Sequence, residues 1–349
     1  NRIINGAMMI DQRNAGVAKT SQSFSSSPFL CDRFRFGGSG TTARTTIQQV
    51  QDAPAGFINS AKLIVTTPET LATGSVNVLS HIIEGLNVVD FAWGTSAATA
   101  ATLSFWVKTS LTGIHAVAIR SDGTGTNYSY VASYTVNQAN TWEYKTIVIP
   151  GPTVGSWGGL IASNLYGIRL DWNMGSYTDS QATANTWTSG GYFTVAGANQ
   201  VITNNGATFQ ITGVQLEKGS QATSFDYRAY STELALCQRY YYRISSSGNT
   251  YQSFGLASGY NATQMRLDTV FPVTMRGAPT ILETSAASSF LYEKEAGYAA
   301  SPSAIVLGSQ SNAFIGVSVG TTGTLTAGGA VYHTYSNGTP AYLGFSAEL

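Results

Sequence analysis

Leu103-Ser104-Phe105-Trp106-Val107-Lys108 alternates apolar and polar positions with a period of two, so Leu103, Phe105 and Val107 share one side of an extended strand while Ser104, Trp106 and Lys108 share the other. This is the pattern of a half-buried strand. Working outward, the same reading fits residues 61–65, 114–120, 128–136, 142–149, 166–174 and 209–216. Between them stand Gly, Asn, Pro or Asp turn signals such as Ser121-Asp122-Gly123-Thr124-Gly125. A series of strands at such intervals predicts a sandwich or barrel, and a jelly roll above all, which packs two antiparallel sheets and presents one as a ligand face.

Composition agrees. The chain of 349 residues carries 10% charged side chains, against roughly 25% in an ordinary soluble domain. Its 37 glycines imply many turns and disfavour a helical bundle. Eighteen Lys plus Arg balance eighteen Asp plus Glu with no basic run, which removes the counterion-release force behind most nucleic-acid binding. No apolar stretch reaches the roughly 20 residues of a membrane-spanning helix, so membrane insertion is not expected. The opening lacks both Met and a basic-then-apolar leader, the pattern of a processed or trimmed piece. Cys31 and Cys237 make neither a disulfide framework nor a CxxC site, and His81, His115 and His333 are far apart.

Near residue 231 the texture changes. Ser231 or Thr232 is a helix cap, and Leu234, Cys237 and Tyr241 follow helical spacing. Three parts are therefore expected: a jelly roll over 1–228, a helical connector over 229–244 and a C-terminal β-sandwich over 245–349. Within the last, strands are predicted at 254–259, 265–273, 304–308, 313–319, 330–335 and 342–345, with Pro272 and Pro279 at strand ends or edges. From Ser245 onward only three basic and five acidic residues serve 105 positions, which points to burial against copies of the same chain. Tyr240-Tyr241-Tyr242 after the helix is a candidate intersubunit surface.

Several segments also carry a resemblance. Residues 1–16, Asn1-Arg-Ile-Ile-Asn-Gly-Ala-Met-Met-Ile-Asp-Gln-Arg-Asn-Ala-Gly16, resemble the opening strand of a jelly-roll module found in bacteriophage tail fibre and virion structural proteins. Gln210-Ile-Thr-Gly-Val-Gln-Leu-Glu-Lys-Gly219 with Ala222-Thr-Ser-Phe-Asp-Tyr-Arg228 is similar to the closing strand of that module. Glu233-Leu-Ala-Leu-Cys-Gln-Arg-Tyr-Tyr241 resembles the helix that follows it. Phe271-Pro-Val-Thr-Met-Arg-Gly-Ala-Pro-Thr280 looks like the start of the C-terminal β domain, whereas nothing from Leu282 onward carries a resemblance. The resemblance implies a homotrimeric, non-enzymatic virion fibre or spike with a carbohydrate-binding-like jelly roll. Its partners would be host-surface polysaccharide and other virion proteins. A polysaccharide depolymerase and a purely structural fibre are the alternatives.

Sugar recognition needs a flat apolar face to stack on a ring, with polar groups aimed at its hydroxyls. Trp106, on the polar side of its strand, either lines such a face or sits under a loop or in a subunit contact. Arg169, Asp171 and Asn173 alternate against Ile168, Leu170, Trp172 and Met174, so Trp172 is core. The polar row faces a ligand if it shares the side of Trp106, and is otherwise a solvated sheet face. Trp157 and Trp187 lie in Gly-rich loops and read as caps on the sandwich end. Glu143 and Asp171 are the one pair of acids on central strands, and hydrolysis would require them to converge. Gly37-Gly38-Ser39-Gly40 lacks the Lys-Ser/Thr of a phosphate loop and reads as a turn. No cofactor is expected; a structural calcium between the first and last strands would use Asp11 and Glu217.

Overall fold

The computed structural model of the chain describes every residue except 22–27, 40–42, 122–126, 156, 158–162, 250, 295–297, 322–324 and 326–330. The protein is almost entirely β, with 48% strand and 8% helix. It divides into two compact units, Asn1–Glu233 together with Leu349, and Leu234–Glu348. The expected turn at 122–125, Gly40, Ala330, and the residues flanking Trp157 lie outside the described residues.

The first unit is a jelly-roll sandwich of two antiparallel sheets. The six-stranded sheet runs β1 (Lys19–Ser21), β4 (Arg44–Val50), β5 (Ser60–Thr67), β13 (Thr208–Lys218), β7 (Ala101–Thr109) and β10 (Glu143–Ile149). The seven-stranded sheet runs β12 (Trp187–Ser189), β9 (Tyr128–Val136), β8 (Gly113–Arg120), β11 (Tyr166–Ser176), β6 (Val76–Glu84), β3 (Phe34–Ser39) and β2 (Phe29–Cys31). Alternation decides which faces meet: Leu103, Phe105 and Val107 of β7 are fully buried against Leu170, Trp172 and Met174 of β11. The Phe105 and Trp172 rings meet edge to face with centroids 5.7 Å apart.

Alternation identifies β5, β7, β8, β9, β10, β11 and β13, but it misses β3 and β4, where buried Phe34, Phe36, Thr45 and Ile47 alternate with more exposed neighbours. β6 escapes that reading, because all nine of its residues are buried and its sequence Val-Asn-Val-Leu-Ser-His-Ile-Ile-Glu has no polar side to betray a period. Gly37, Gly38 and Ser39 are a correction. They extend β3 in register against Val78, Asn77 and Val76, so the expected turn is strand.

Residues 1–16 are a second correction, since no strand forms there. Asn5, Met8 and Ala15 adopt left-handed backbone, with φ of 61°, 54° and 49°. The Asn5 side chain locks the loop by accepting from Ile10 N and donating to the carbonyls of Ile10 and Asp32. Ile3, Ile4, Met8 and Ile10 are buried as a plug rather than as one face of a strand. The segment reaches β13 through Arg2 N to Leu216 O and Val214 N to Gly6 O, both 2.9 Å. At Gly6 a Cβ would fall 2.1 Å from Val214 O, so only glycine permits this approach.

The helix, α1, spans Tyr230–Gln238 and stops short of the expected connector. Tyr240 N donates to Cys237 O to close its last turn, and Tyr241–Ser245 is already a strand. Tyr240 and Tyr241 are fully buried, so they form no surface for another subunit. In the second unit a three-stranded sheet (Tyr241–Ser245, Tyr342–Ser346, Ile281–Thr284) packs with a seven-stranded one around Met265, Leu267, Phe290, Val317 and Phe345. Gln264–Val270 ends before Pro272, as proline in a ladder requires.

Candidate functional site

The outer face of the six-stranded sheet carries the candidate site. Register sets Tyr144 of β10 and Thr212 of β13 on either side of Trp106 in β7. The Trp106 and Tyr144 rings lie 5.3 Å apart at 50°, forming a continuous aromatic floor. Beside them β13 bulges between Thr212 and Gln215, where Gly213 adopts a left-handed φ of 61°. A Cβ on Gly213 would lie 2.7 Å from Phe57 and 3.0 Å from Trp106, so the bulge glycine is what admits both rings.

Phe57 arrives on the turn before β5 and meets Phe225 and Tyr227 from the segment after β13, with centroid separations of 5.1, 5.4 and 4.7 Å among the three. The Tyr227 hydroxyl donates to Gly56 O and ties the two segments together. Together these residues wall an open groove of about 740 Å³, completed by Ser104, Thr146, Thr223 and Ser224 among others. Its described lining holds no Asp, Glu, Lys, Arg or His.

Charges nearby are consumed locally. Lys108, on the same face of β7, bonds Asp52 at 2.5 Å, and Asp52 also accepts from Gln210 and Trp142. Burial would raise the Asp52 carboxyl, but the hydrogen bonds from Lys108 and Gln210 outweigh it and hold it below its ordinary value. Glu217 accepts from the N–H and hydroxyl of Thr223. The groove therefore offers stacking faces and hydroxyls, with no charged side chain in its described lining.

Trp106 thus lines a ligand-sized groove, while the other expected site residues are elsewhere. Arg169, Asp171 and Asn173 belong to β11 in the seven-stranded sheet, on the outward side of that sheet and so on the opposite face of the sandwich from Trp106. The ligand-facing reading required a shared side, and the topology denies it. The solvated-face reading fails as well. Asp171 has no exposed surface; it bonds Arg169 at 2.8 Å, Arg120 at 3.1 Å and Ser80 at 2.5 Å. Burial would raise its carboxyl, yet the two guanidinium groups hold it below the ordinary value. The excursion between β11 and β13 covers the row: Phe193 stacks over Arg120 at 4.0 Å, Asn173 donates to Asn199 O, and Val195 and Ala198 pack on Ala116, Ala118 and Val131.

The two candidate acids do not share a site. Glu143 lies in the six-stranded sheet and is bound to Lys145, Asn137 and Gln138, whereas Asp171 lies in the other sheet with its arginines. Asp11 accepts from the N–H groups of Asn14 and Gly16 in its own turn, as Glu217 does from Thr223. Among the described residues no three His, Cys, Asp or Glu side chains cluster to hold a metal. Trp157 and Trp187 pack edge to face with one another at 5.6 Å and with Trp93 at 5.1 and 5.6 Å, but Trp187 opens strand β12, paired with Tyr130 of β9, rather than standing in a loop.

The sequence missed Tyr144, Phe57, Phe225 and Tyr227. Tyr144 carries a signal, because it alternates with Thr146 and Val148 on the polar side of its strand, but its placement beside Trp106 needs the strand order. The other three lie in turns, where no period marks a face.

No family model matches the chain, and no curated protein matches it. Among solved structures, the enzymatically active domain of tailspike protein 4 of bacteriophage CBA120 aligns over 62% of this chain and 21% of its own, at 15% identity and a TM-score of 0.31. A CBM4 structure aligns over 61% of this chain and 97% of its own, at 14% identity and a TM-score of 0.34. The family 11 carbohydrate-binding module of Clostridium thermocellum aligns over 59% and 98%, at 14% identity and a TM-score of 0.28.

Proposed function

We propose that this chain is a non-catalytic adhesin of a phage virion fibre or spike, acting as a homotrimer outside the host cell and holding a neutral host-surface glycan in the groove of the six-stranded sheet. The observation that carries the glycan reading is the Trp106–Tyr144 floor, walled by Phe57, Phe225 and Tyr227 and lined by hydroxyls without a formal charge. A pyranose presents an apolar C–H face and a rim of hydroxyls, and this surface offers both complements. The virion reading rests on the resemblance of the segments around residues 210–241 and 271–280. The trimer draws on the same resemblance, on the sparse charge after Ser245, and on exposed Leu256, Tyr260, Val270 and Phe314 in the second unit.

A glycan array followed by calorimetry on the glycans retained tests the site. Trp106→Ala is expected to weaken binding about tenfold or more with an unchanged melting temperature, and affinity is expected to be indifferent to added salt. Parent-like binding by Trp106→Ala overturns the groove, and turnover of the bound polysaccharide overturns the non-catalytic assignment. Light scattering on the intact chain reads the assembly: three times the chain mass of 36.9 kDa is expected, and one or two times that mass rejects the homotrimer.

A further inference from the structure

The floor of the groove is narrow. On the outer face of the six-stranded sheet, Gln210 and Thr212 of β13 are buried, whereas Tyr144 of β10 is 44% exposed and Trp106 of β7 is half-buried. Phe57 stands over the Gly213 bulge on the β13 side, and β10 is the last strand of the sheet on the other. A ligand longer than one sugar therefore finds no open floor across the strands, and its chain has to follow β7 and β10.

One step along those strands lies a polar cluster. The register that pairs Trp106 with Tyr144 sets Lys108 two residues further along β7, and the Trp142 ring centroid lies 5.4 Å from the Lys108 Nζ. Two residues of extended strand advance roughly 7 Å, about the step from one pyranose to the next in a chain. Asp52 completes the cluster: its carboxylate accepts from Lys108 at 2.5 Å, from Gln210 Nε2 at 3.0 Å and from Trp142 Nε1 at 3.4 Å.

Three donors fix the carboxylate, yet the Asp52 side chain stays 45% exposed. A carboxylate offers about four lone-pair sites, so these bonds leave it able to accept from a ligand. Lys108 carries three N–H donors and gives one of them to Asp52. A sugar hydroxyl both donates and accepts, and this pair supplies one charge-assisted partner of each kind. The half-buried Trp142 ring adds apolar surface beside them.

We propose that Asp52, Lys108 and Trp142 form a second sugar subsite, which takes the neighbouring unit of a neutral glycan whose first unit lies on Trp106 and Tyr144, the chain running along β7 and β10. The inference rests on the groove reading above and adds to it the class of ligand: two or more linked sugars with a free hydroxyl on the second, rather than a single terminal sugar.

The test uses the intact chain, with free oligosaccharides of one to four units cut from each neutral polysaccharide it retains on an array, compared as competitors. For the parent, the second unit is expected to improve inhibition about tenfold, the factor that a hydrogen bond to a charged group carries. In Asp52→Ala and in Trp142→Ala that gain is expected to disappear, while inhibition by the single sugar stays at the parent level. Trp142→Ala serves on its own if Asp52→Ala does not fold, because it leaves the Lys108 to Asp52 bond in place. A parent that gains nothing from the second unit, a gain that survives both substitutions, or a loss that falls equally on single sugars and longer chains overturns the second subsite and leaves the groove standing. Parent-like inhibition at every length in Trp106→Ala overturns the groove, and the second subsite with it.

Discussion

Replacing Asp171 by Asn separates a ligand site from a structural one on the seven-stranded sheet. The side chains are nearly the same size, so the change removes a charge without opening a cavity. What remains is Arg120, with a side chain 6% exposed, and Arg169, 18% exposed, facing each other without their shared counter-ion. Removing one partner of a buried pair costs about 3–5 kcal/mol, because the other charge stays desolvated. Against a domain stability of about 5–15 kcal/mol this is a large fraction. With about 2–4 °C of melting temperature lost per kcal/mol at this domain size, the first unit's transition is expected to drop by roughly 6–20 °C. The assay is calorimetry on parent and variant across pH. Asp171 is held below its ordinary carboxyl value of 3.8, so its stabilisation is complete above that pH and drains away as pH falls through the folded value. The gap between parent and variant should therefore be full at neutral pH and close on acidification. Glycan affinity, measured well below both transitions, should not change. A shift of less than about 2 °C at neutral pH, or a lost ligand with an intact melt, refutes the buried-cluster reasoning.

Gly213→Ala places a Cβ against Phe57 and Trp106 at a left-handed φ; we expect a strain cost of about 1–3 kcal/mol, a changed tryptophan emission, and glycan binding at least about tenfold weaker by titration. At Glu143, burial would raise the carboxyl, but the hydrogen bonds from Lys145, Gln138 and Asn137 bring it down to about 2. Its stabilisation is complete above the ordinary value of 4.5 and is lost as pH falls towards 2, so Glu143→Gln should flatten the acid limb of the melting-temperature profile; an unchanged slope would count against that assignment. Trp93→Ala empties the centre of the Trp93, Trp157 and Trp187 cluster and is expected to cost about 3–5 kcal/mol in denaturant unfolding, with a loss under about 1 kcal/mol arguing that the cluster is peripheral.

Alternation along single strands was enough to establish a β protein and, in strands such as β7, to tell the side that faces the other sheet from the side turned away from it. Leu103, Phe105 and Val107 point inward and Trp106 outward, because a strand's side chains alternate whatever its neighbours are. The same rule placed Trp172 in the core and Arg169, Asp171 and Asn173 opposite it. It could not say which sheet each strand joins. That depends on pairing between distant segments, β7 with β10 and β13, and β11 with β6 and β8, and the pairing put Trp106 and Asp171 on opposite outer faces. Nor could it see that the chain from 177 to 206 folds back over one face and leaves the other open, since covering a sheet is a matter of where a loop returns. The opening segment shows the limit from the other side: its resemblance to an opening strand implied a strand, but one buried Asn5 satisfying three backbone groups made a loop the better solution. The groove belongs wholly to the tertiary structure. Its aromatic rings come from four separate stretches, and only the register of β7 against β10, with the glycine bulge in β13, brings them within 6 Å of a neighbouring ring.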